Sequence, residues 1–358
     1  MGTETRKIHE TYSKFINKKV LFIVVSTILL LFFIVVGLTL GSADISLKEV
    51  FNTIFGQGTV ITSQIIWKIR LPRVLSAVIA GIGLAIVGAA MQSILRNPLG
   101  SPFTLGLSNA AAFGAAFAVV ILGAGSIHSS DSDAVLINNP YIVTLSAFFW
   151  CTIATLAILI VVKLKLASPE TMVLMGVIIG SLFGACTTAL EYFANEIQLA
   201  SIVFWTFGDL GRSDWRSFSI LFLIIIPGTF YFIKNSWNYA ALNSGDETAE
   251  SLGVDTNKIR IRGMLVASII TATVVAFFGI IAFIGLVVPH IVRRFVGNNE
   301  RFLLPATALF GALFLLLSDT LARTIIAPVI LPVGILTSFL GAPLFLYLLI
   351  KGKGRTIT

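Results

Sequence analysis

The stretch VLFIVVSTILLLFFIVVGLTL, from Val20 to Leu40, is a run of 21 residues without a single charged side chain. A helix of this length reaches across the hydrocarbon core of a bilayer, which is roughly 30 Å thick. Lys14, Lys18 and Lys19 precede the run, as they would in a secretory signal, but a signal has a shorter apolar core and a cleavage site with small residues. We therefore interpret this run as a retained first transmembrane helix.

Similar apolar runs recur along the whole chain, so the first helix is one of many. Hydrophobic residues make up 56% of the sequence, charged residues 12%, and the mean hydropathy is +0.96. An ordinary soluble domain carries about 25% charged residues, and a membrane β-barrel alternates polar and apolar residues instead of keeping continuous apolar runs. The composition predicts an all-α polytopic membrane protein.

Counting the apolar runs gives ten transmembrane segments, of which the eighth is too short to cross alone and carries Pro289 in its first turn. The ten are Val20–Leu40, Val74–Leu95, Leu105–Leu122, Tyr141–Val162, Thr171–Glu191, Phe218–Ile233, Met264–Phe283, Val288–Phe295, Leu303–Leu321 and Leu331–Ile350.

The distribution of lysine and arginine predicts the orientation of these segments. With the N-terminus in the cytoplasm, the inner loops and termini hold eighteen of the 25 basic residues and the outer loops hold seven. Cytoplasmic loops carry the excess of positive charge in membrane proteins. Both termini are therefore predicted to be cytoplasmic, and the net charge of +8 is explained by anionic lipid, without nucleic acid.

Outside the membrane, residues 46–55 (SLKEVFNTIF) are predicted to form a helix that lies on the outer leaflet. Leu47, Val50, Phe51 and Ile54 share one face of such a helix. Ser46 and Glu49 have the spacing of a capping box.

Inside, the polar stretch SGDETAESLGVDTNK, from Ser244 to Lys258, separates two long apolar runs. The S-x-x-E spacing of Ser244 and Glu247 predicts a helix start, Gly253 a left-handed helix end, and Asp255 the cap of a second short helix. The pattern alone leaves two interpretations open. The element either folds against its own protein or forms a small, rigid docking site for a cytoplasmic partner.

Seven motifs in order give the chain its resemblance to a known family. They are RLPR (70–73), GAAMQSILRNPLGSPFTLGLSNAAAFGA (88–115), GRSDWR (211–216), AESLGV (249–254), FIGLVVPHIVRRFVG (283–297), LLLSDTLAR (315–323) and PVGILTSFLGAPLFLYLL (332–349). From about residue 69 to residue 351 the chain resembles the permease subunits of type II ABC importers, which take up iron–siderophores, haem and cobalamin.

The resemblance implies the type II importer permease fold and a division of the chain. Residues 1–19 would be a cytoplasmic segment, residues 20–350 the transmembrane permease domain and residues 351–358 a cytoplasmic tail. It also implies that residues 244–260 are coupling helices that receive the motion of an ATPase subunit. The implied contacts are Ala249, Glu250, Ser251, Leu252, Gly253 and Val254.

No nucleotide site is expected in this chain, because the sequence contains no G-x-x-x-x-G-K-[ST] stretch. We therefore predict no cofactor here, with ATP and magnesium bound by two copies of a separate cytoplasmic ABC ATPase. The other implied partners are a second permease subunit, identical or homologous, an extracytoplasmic substrate-binding protein, and membrane lipid. The expected location is the cytoplasmic membrane of a prokaryote.

The resemblance further assigns Arg70, Arg73 and Arg323 to docking of the binding protein at the outer face; the residues alone are equally compatible with snorkelling to the interface. Nearby, Arg212 and Arg216 are interpreted as pairing locally with Asp209 and Asp214.

A cytoplasmic gate and a translocation path are implied as well. Asn97, Leu99 and Ser168 are the gate candidates, although ordinary helix breaking would also explain their Pro-containing turns. Gly176, Gly180 and Gly184 form a stripe that either packs helices closely or leaves width along the path.

These features predict the transmembrane subunit of an ATP-driven importer for a metal chelate, an iron–siderophore in the first place, with haem or cobalamin as the alternative. A gradient-driven transporter would need ionisable residues near the middle of its spans, where this chain is apolar. An intramembrane enzyme would need a convergent catalytic set, and none is predicted. A metal site is not predicted either, since His290 has no second ligand at a suitable spacing.

Overall fold

A computed structural model describes residues 2–41, 43, 45–124, 140–164 and 168–352. These residues form helices joined by turns, with no strand among them. A π-helical turn, Ile65–Arg70, joins α3 to α4 without a break. The helices are α1 Gly2–Thr39, α2 Leu47–Ile54, α3 Val60–Gln64, α4 Leu71–Ile94, α5 Leu107–Val120, α6 Pro140–Leu164, α7 Pro169–Phe193, α8 Glu196–Thr206, α9 Trp215–Lys234, α10 Ser236–Asn243, α11 Asp246–Ser251, α12 Thr256–Phe278, α13 Ile284–Val296, α14 Glu300–Thr324 and α15 Val333–Gly352.

Seven helical segments are long and apolar enough to cross a membrane, which confirms an all-α polytopic protein. They are Ile16–Thr39, Val60–Ile94, Pro140–Leu164, Pro169–Phe193, Trp215–Lys234, Thr256–Phe278 and Glu300–Thr324. Two shorter apolar helices, Leu107–Val120 and Val333–Tyr347, coincide with two further predicted segments. The count of ten crossings and the cytoplasmic side of both termini stay predictions, as does the division into segments; residues 353–358 of the predicted tail lie outside the described part of the chain.

The eighth predicted segment begins earlier than the sequence suggested. α13 starts at Ile284 instead of Val288, so Pro289 lies inside the helix. The apolar residues Ile284, Val287 and Val288 are fully buried where α13 packs against α4 and α14. Burial of this extra turn outweighs the single backbone hydrogen bond that Pro289 cannot donate.

Helix α4 is the central helix of the described residues. It packs against α9, α12, α13 and α14, and most of its residues are buried. At two crossings glycine faces glycine: Gly81 lies on Gly311 of α14, and a Cβ atom at Gly88 would overlap the carbonyl of Gly285 in α13. Such close backbone contacts leave α4 little freedom to shift relative to its neighbours.

The outer helix α2 forms as the capping pattern predicts. Ser46 Oγ accepts from the Glu49 amide at 3.3 Å, and Glu49 Oε2 accepts from the Ser46 amide at 2.8 Å. Val50 is buried against the protein, whereas Leu47, Phe51 and Ile54 are exposed. Its position on the outer leaflet remains a prediction.

Candidate functional site

The polar stretch from Ser244 to Lys258 contains a short helix, α11, that follows α10 after a two-residue turn. The predicted capping role of Ser244 is wrong. Ser244 is the C-terminal cap of α10. The N-terminal cap of α11 is Gly245, which has a φ of 113° and no side chain that could cap the helix. The reason is that α10 ends directly before Ser244. The Ser244 amide donates to the Ala241 carbonyl of α10 at 3.0 Å and so belongs to the end of that helix.

The turn after α11 is rigid and presents one exposed apolar side chain. Gly253 has a left-handed φ of 79°, and the amides of Leu252, Gly253 and Val254 donate to the carbonyls of Thr248, Glu250 and Ala249. Leu252 is 68% exposed at its tip. Asp255 caps the following helix as predicted, but this helix is the long α12, which continues to Phe278.

Of the six residues predicted to contact an ATPase subunit, two are wholly or partly buried in this chain. Ala249 is fully buried, so its side chain packs on its own protein, and Val254 is half-buried. Glu250, Ser251, Leu252 and Gly253 are exposed, although Glu250 also accepts a hydrogen bond from Thr256 at 3.0 Å. The surface that a partner can reach therefore centres on Leu252.

At the opposite end of the molecule, Arg70 binds the end of the first helix. Its Nη1 donates to the Leu38 and Thr39 carbonyls at 2.7 Å each, and its Nη2 donates to the Ala43 carbonyl. These carbonyls belong to the last turn of α1 and the chain just beyond it, where carbonyl groups lack intrahelical partners. Arg70 thus acts as a C-terminal cap for α1.

Arg73 and Arg323 share one buried carboxylate, that of Asp319. Arg73 donates to Asp319 through Nη2 at 2.8 Å and Nε at 3.0 Å, and Nε of Arg323 lies 3.1 Å from the other oxygen. Arg323 also donates to the carbonyl of Gly37 in α1 and to that of Leu40 just beyond it. The three arginines are only 4–7% exposed and Asp319 is fully buried. Their docking role remains a prediction, but the structure gives them a structural role that the sequence did not suggest.

Neither Arg212 nor Arg216 forms the predicted direct ion pair with Asp209 or Asp214, although the charge of Asp209 still acts on Arg212. Asp209 lies 3.5 Å from Arg73 instead, and Asp214 caps α9 by accepting from the Ser217 amide at 2.7 Å. Arg212 donates to the Phe204 carbonyl, while the guanidinium of Arg216 sits 4.9 Å from the centre of the Tyr141 ring. Asp209 and Arg216 thus contact residues far away in the sequence, whereas Asp214 and Arg212 bind residues within eight positions.

The first gate candidate is a tight turn after α4. Asn97 Oδ1 accepts from the Leu99 amide at 2.9 Å, and Arg96, just before it, has a φ of 46° that non-glycine residues rarely adopt. Leu99 is exposed and Asn97 half-buried. Ser168, the second candidate, caps α7 by accepting from the Thr171 amide at 3.2 Å. Their role as gates stays a prediction.

The glycine stripe on α7 divides into two parts. A Cβ atom at Gly176 would lie 2.6 Å from Leu105 Cα, and Gly180 accepts a hydrogen bond from Asn109 at its carbonyl, 2.9 Å away. Gly184 has no other atom within 4 Å of such a Cβ position. Close packing explains Gly176 and Gly180, so within the described residues Gly184 alone of the three borders open space; whether the stripe lines a path remains a prediction.

Alanine substitutions along this stripe are expected to separate the two parts. Gly176→Ala places a methyl group against the backbone of Thr104 and Leu105, so the unfolding free energy should fall by about 1–3 kcal/mol. Gly184→Ala should leave it unchanged or raise it, since alanine favours helix. Unfolding of both variants in detergent micelles tests this; equal losses would contradict the packing difference.

Among the described residues, no three His, Cys, Asp or Glu side chains come together in a way that could hold a metal ion. His290 packs edge-on against the ring of Phe345, with ring centres 5.5 Å apart. The important residue that sequence reasoning missed is Asp319. Its position in the LLLSDTLAR motif, four residues before Arg323, was the available signal.

Comparisons with known proteins agree with this arrangement. A protein of Methanocaldococcus jannaschii named as an ABC transporter permease is 49% identical over 96% of this chain and 98% of its own length. The hemin transport system permease protein of Yersinia pestis is 36% identical over 90% of this chain and 95% of its own. A solved structure described as a metal-chelate type ABC transporter, in an inward-facing conformation, matches with a TM-score of 0.80 and 30% identity, covering 92% of this chain and 98% of that one.

The type II importer permease fold is thereby confirmed for the described residues. The profile of the FecCD transport family matches residues 29–351, nearly the whole chain. The chain therefore belongs to the FecCD transport family, as a permease.

Proposed function

We propose that this chain is the transmembrane subunit of an ATP-driven importer that moves a metal chelate, in the first place an iron–siderophore, from an extracytoplasmic binding protein into the cytoplasm. Family membership supports the transporter class, and the relatives' names support the type of cargo: one transports hemin, one vitamin B12 and one Fe(3+)-citrate. Haem and cobalamin are therefore the alternative cargoes.

The observation that carries the proposal is the exposed turn around Leu252. A leucine that is 68% exposed on a rigid, hydrogen-bonded turn, with acidic residues around it, has no packing role in its own chain. Such a residue suits insertion into a groove on a cytoplasmic ATPase subunit. Two ATPase copies, which bind ATP and magnesium, and a second permease subunit would complete the transporter in a prokaryotic cytoplasmic membrane.

At the outer face, we propose that the cluster of Arg70, Arg73 and Arg323 attracts the binding protein by its field. The three arginines carry one positive charge more than the two carboxylates, Asp209 and Asp319, neutralise, so the cluster has a net positive charge. These buried guanidinium groups cannot form direct ion pairs with a partner without leaving Asp319 or the carbonyls at the end of α1, but their charge still steers an acidic surface.

We further propose that the turn at Asn97 and Leu99, together with Ser168, forms the cytoplasmic gate, and that the face of α7 around Gly184 borders the path. The permease contributes by changing conformation: its partners bind the inward- and outward-facing states with different affinity.

ATP dependence of uptake tests the proposal. In vesicles that contain the permease and its ATPase, with the binding protein outside and ATP inside, uptake of a ferric siderophore is expected to stop with orthovanadate and to continue with a protonophore. Uptake without ATP would overturn the proposal in favour of a gradient-driven transporter. Titrating the binding protein with ferric siderophore, haem and cobalamin identifies the cargo.

A further inference from the structure

Polar contacts from the cytoplasmic element around α11 converge on the last turn of α4. They reach Ser93 and Ile94 of α4 and Arg96 in the turn that follows it, all within four consecutive residues. The next residue is Asn97, the first gate candidate. The structure thus links the docking turn to the gate turn through side chains.

The strongest link runs through Asp246, the first residue of α11. Both of its carboxylate oxygens accept from Arg260 of α12, at 2.9 and 2.6 Å. The same guanidinium donates through Nε to the Ile94 carbonyl of α4 at 3.3 Å. Arg260 is only 2% exposed, and two parallel hydrogen bonds fix the orientation of its fork.

Asp246 reaches a second cation, Arg96, whose Nη1 lies 3.5 Å from the Oδ1 atom. The hydrogen bond from Arg260 is the largest of the effects that hold the pKa of the Asp246 carboxyl below its usual value. The carboxylate is therefore charged throughout the neutral range. Because Arg96 has a positive φ and directly precedes Asn97, its side chain connects α11 to the backbone of the gate turn.

A third link starts just before α11. Asn243, the last residue of α10, donates to Oε1 of Glu300 in α14 at 2.9 Å and to Oγ of Ser93 in α4 at 3.3 Å. Ser93 in turn donates to the same Glu300 oxygen at 3.1 Å. Ser93 and Glu300 are each 1% exposed, so the hydrogen bond between them is shielded from water and strengthened by its surroundings, whereas Asn243 is exposed.

Helix α4 is suited to carry a displacement received at its end. It is the buried central helix, and its glycine crossings at Gly81 and Gly88 hold it tightly to α14 and α13. Its other end leads to Arg70 and Arg73, in the outer cluster that binds α1. Since these crossings hold α4, α13 and α14 together, a displacement received at Ile94 would move the three helices as one unit.

We infer that Asp246 is a positioning residue for ATP-driven transport, which joins the docking turn at Leu252 to the end of α4 and to the gate turn through Arg260 and Arg96. This inference rests on the proposed function. It adds the route by which motion of an ATPase subunit would reach the gate.

A matched control variant, Glu247→Gln, distinguishes the proposed role of Asp246 from a purely structural one. Asp246 and Glu247 both lie in the first turn of α11, where either negative charge stabilises the helix. Glu247 is exposed and makes no ion pair among the residues that the structure describes. Glu247→Gln therefore removes the same charge from the same helix without touching Arg260 or Arg96.

The test uses the reconstituted complex with its ATPase and binding protein, with ferric siderophore as cargo, and measures import per ATP hydrolysed. Asp246→Asn is expected to lower this ratio about fivefold or more, the usual size of a coupling between sites, while ATP hydrolysis continues. Glu247→Gln is expected to keep the ratio of the unmodified protein. An unchanged ratio in Asp246→Asn, or an equal fall in Glu247→Gln, would overturn the inference.

Arg96→Gln provides a second variant in case Asp246→Asn does not fold. It leaves the ion pair of buried Arg260 and half-buried Asp246 intact and removes a side chain that is 44% exposed. As a single substitution it should lower the amount of cargo imported per ATP hydrolysed; where Asp246→Asn does fold, adding Arg96→Gln to it should have no further effect. If Arg96→Gln leaves the ratio unchanged, the link to the gate turn is refuted.

The same experiment keeps the inference and the proposed function apart. Import by the unmodified complex that needs no ATP would refute the proposed function. ATP-dependent import that Asp246→Asn leaves fully coupled would refute the inference alone.

Discussion

Replacing Asp319 by asparagine is expected to lower the unfolding free energy of the permease by about 3–5 kcal/mol, the usual cost of removing one partner from a buried ion pair. Asp319 is fully buried between Arg73 and Arg323, which lie 2.8 and 3.1 Å from its two oxygens. An amide of the same shape keeps the volume but leaves two buried cations without their carboxylate. The nearest replacement is Asp209, at 3.5 Å from Arg73.

Reversible unfolding in mixed detergent micelles measures this loss, with Asp214→Asn as the control. Asp214 is exposed and caps α9. Asparagine caps a helix equally well, so the control should stay within about 0.5 kcal/mol of the unmodified protein. Equal stability of the two variants would contradict the structural role of Asp319.

This result also decides how the outer arginines can be studied. Charge reversal of Arg73 or Arg323 leaves Asp319 facing a like charge in a buried site, so it disturbs the fold as well as any docking. A loss of binding-protein affinity in such variants is informative only beside a measured stability. Salt dependence of docking in the unmodified protein avoids the problem, because the field of the intact cluster is what is screened.

Local sequence patterns predicted the helices and several of their ends. The capping box of Ser46 and Glu49, the left-handed Gly253 and the cap at Asp255 all form, since each depends on residues within one turn. The prediction that Ser244 caps the start of α11 is wrong, and the reason is also local. Its S-x-x-E spacing is genuine, but α10 ends at the same place and uses the residue as its own cap.

The long-range ion pairs could not be predicted in this way. Arg73 and Asp319 are separated by 246 residues, and only the packing of α4 against α14 brings them together. The same is true of Arg260 and the Ile94 carbonyl, 166 residues apart. From sequence, an arginine near a membrane surface suggests an exposed contact. Only the fold shows whether a carboxylate or the carbonyls of a helix end are available to bind that arginine in a buried site.

Replacing Leu252 by aspartate is expected to abolish ATP-dependent import while leaving the permease itself as stable as before. Leu252 is 68% exposed and its backbone, not its side chain, holds the turn. If the side chain inserts into an ATPase groove, its burial there contributes about 1.5–3 kcal/mol to assembly. Since each 1.4 kcal/mol is tenfold in affinity, the complex should weaken by roughly ten- to hundredfold, and further because aspartate brings an uncompensated charge.

Leu252→Met distinguishes loss of the contact from loss of the turn. Methionine is apolar and of similar volume, so it should preserve both assembly and import. Co-purification of the ATPase with each variant, thermal unfolding of the isolated permease and import in vesicles together test the prediction. If Leu252→Asp binds the ATPase and imports cargo as the unmodified protein does, the turn is not the site at which the ATPase drives transport. The contacts from Asp246 to the gate turn would then have no role in transmitting motion of the ATPase. The reason is that Leu252, the apolar side chain exposed on this turn, would have been shown to be dispensable.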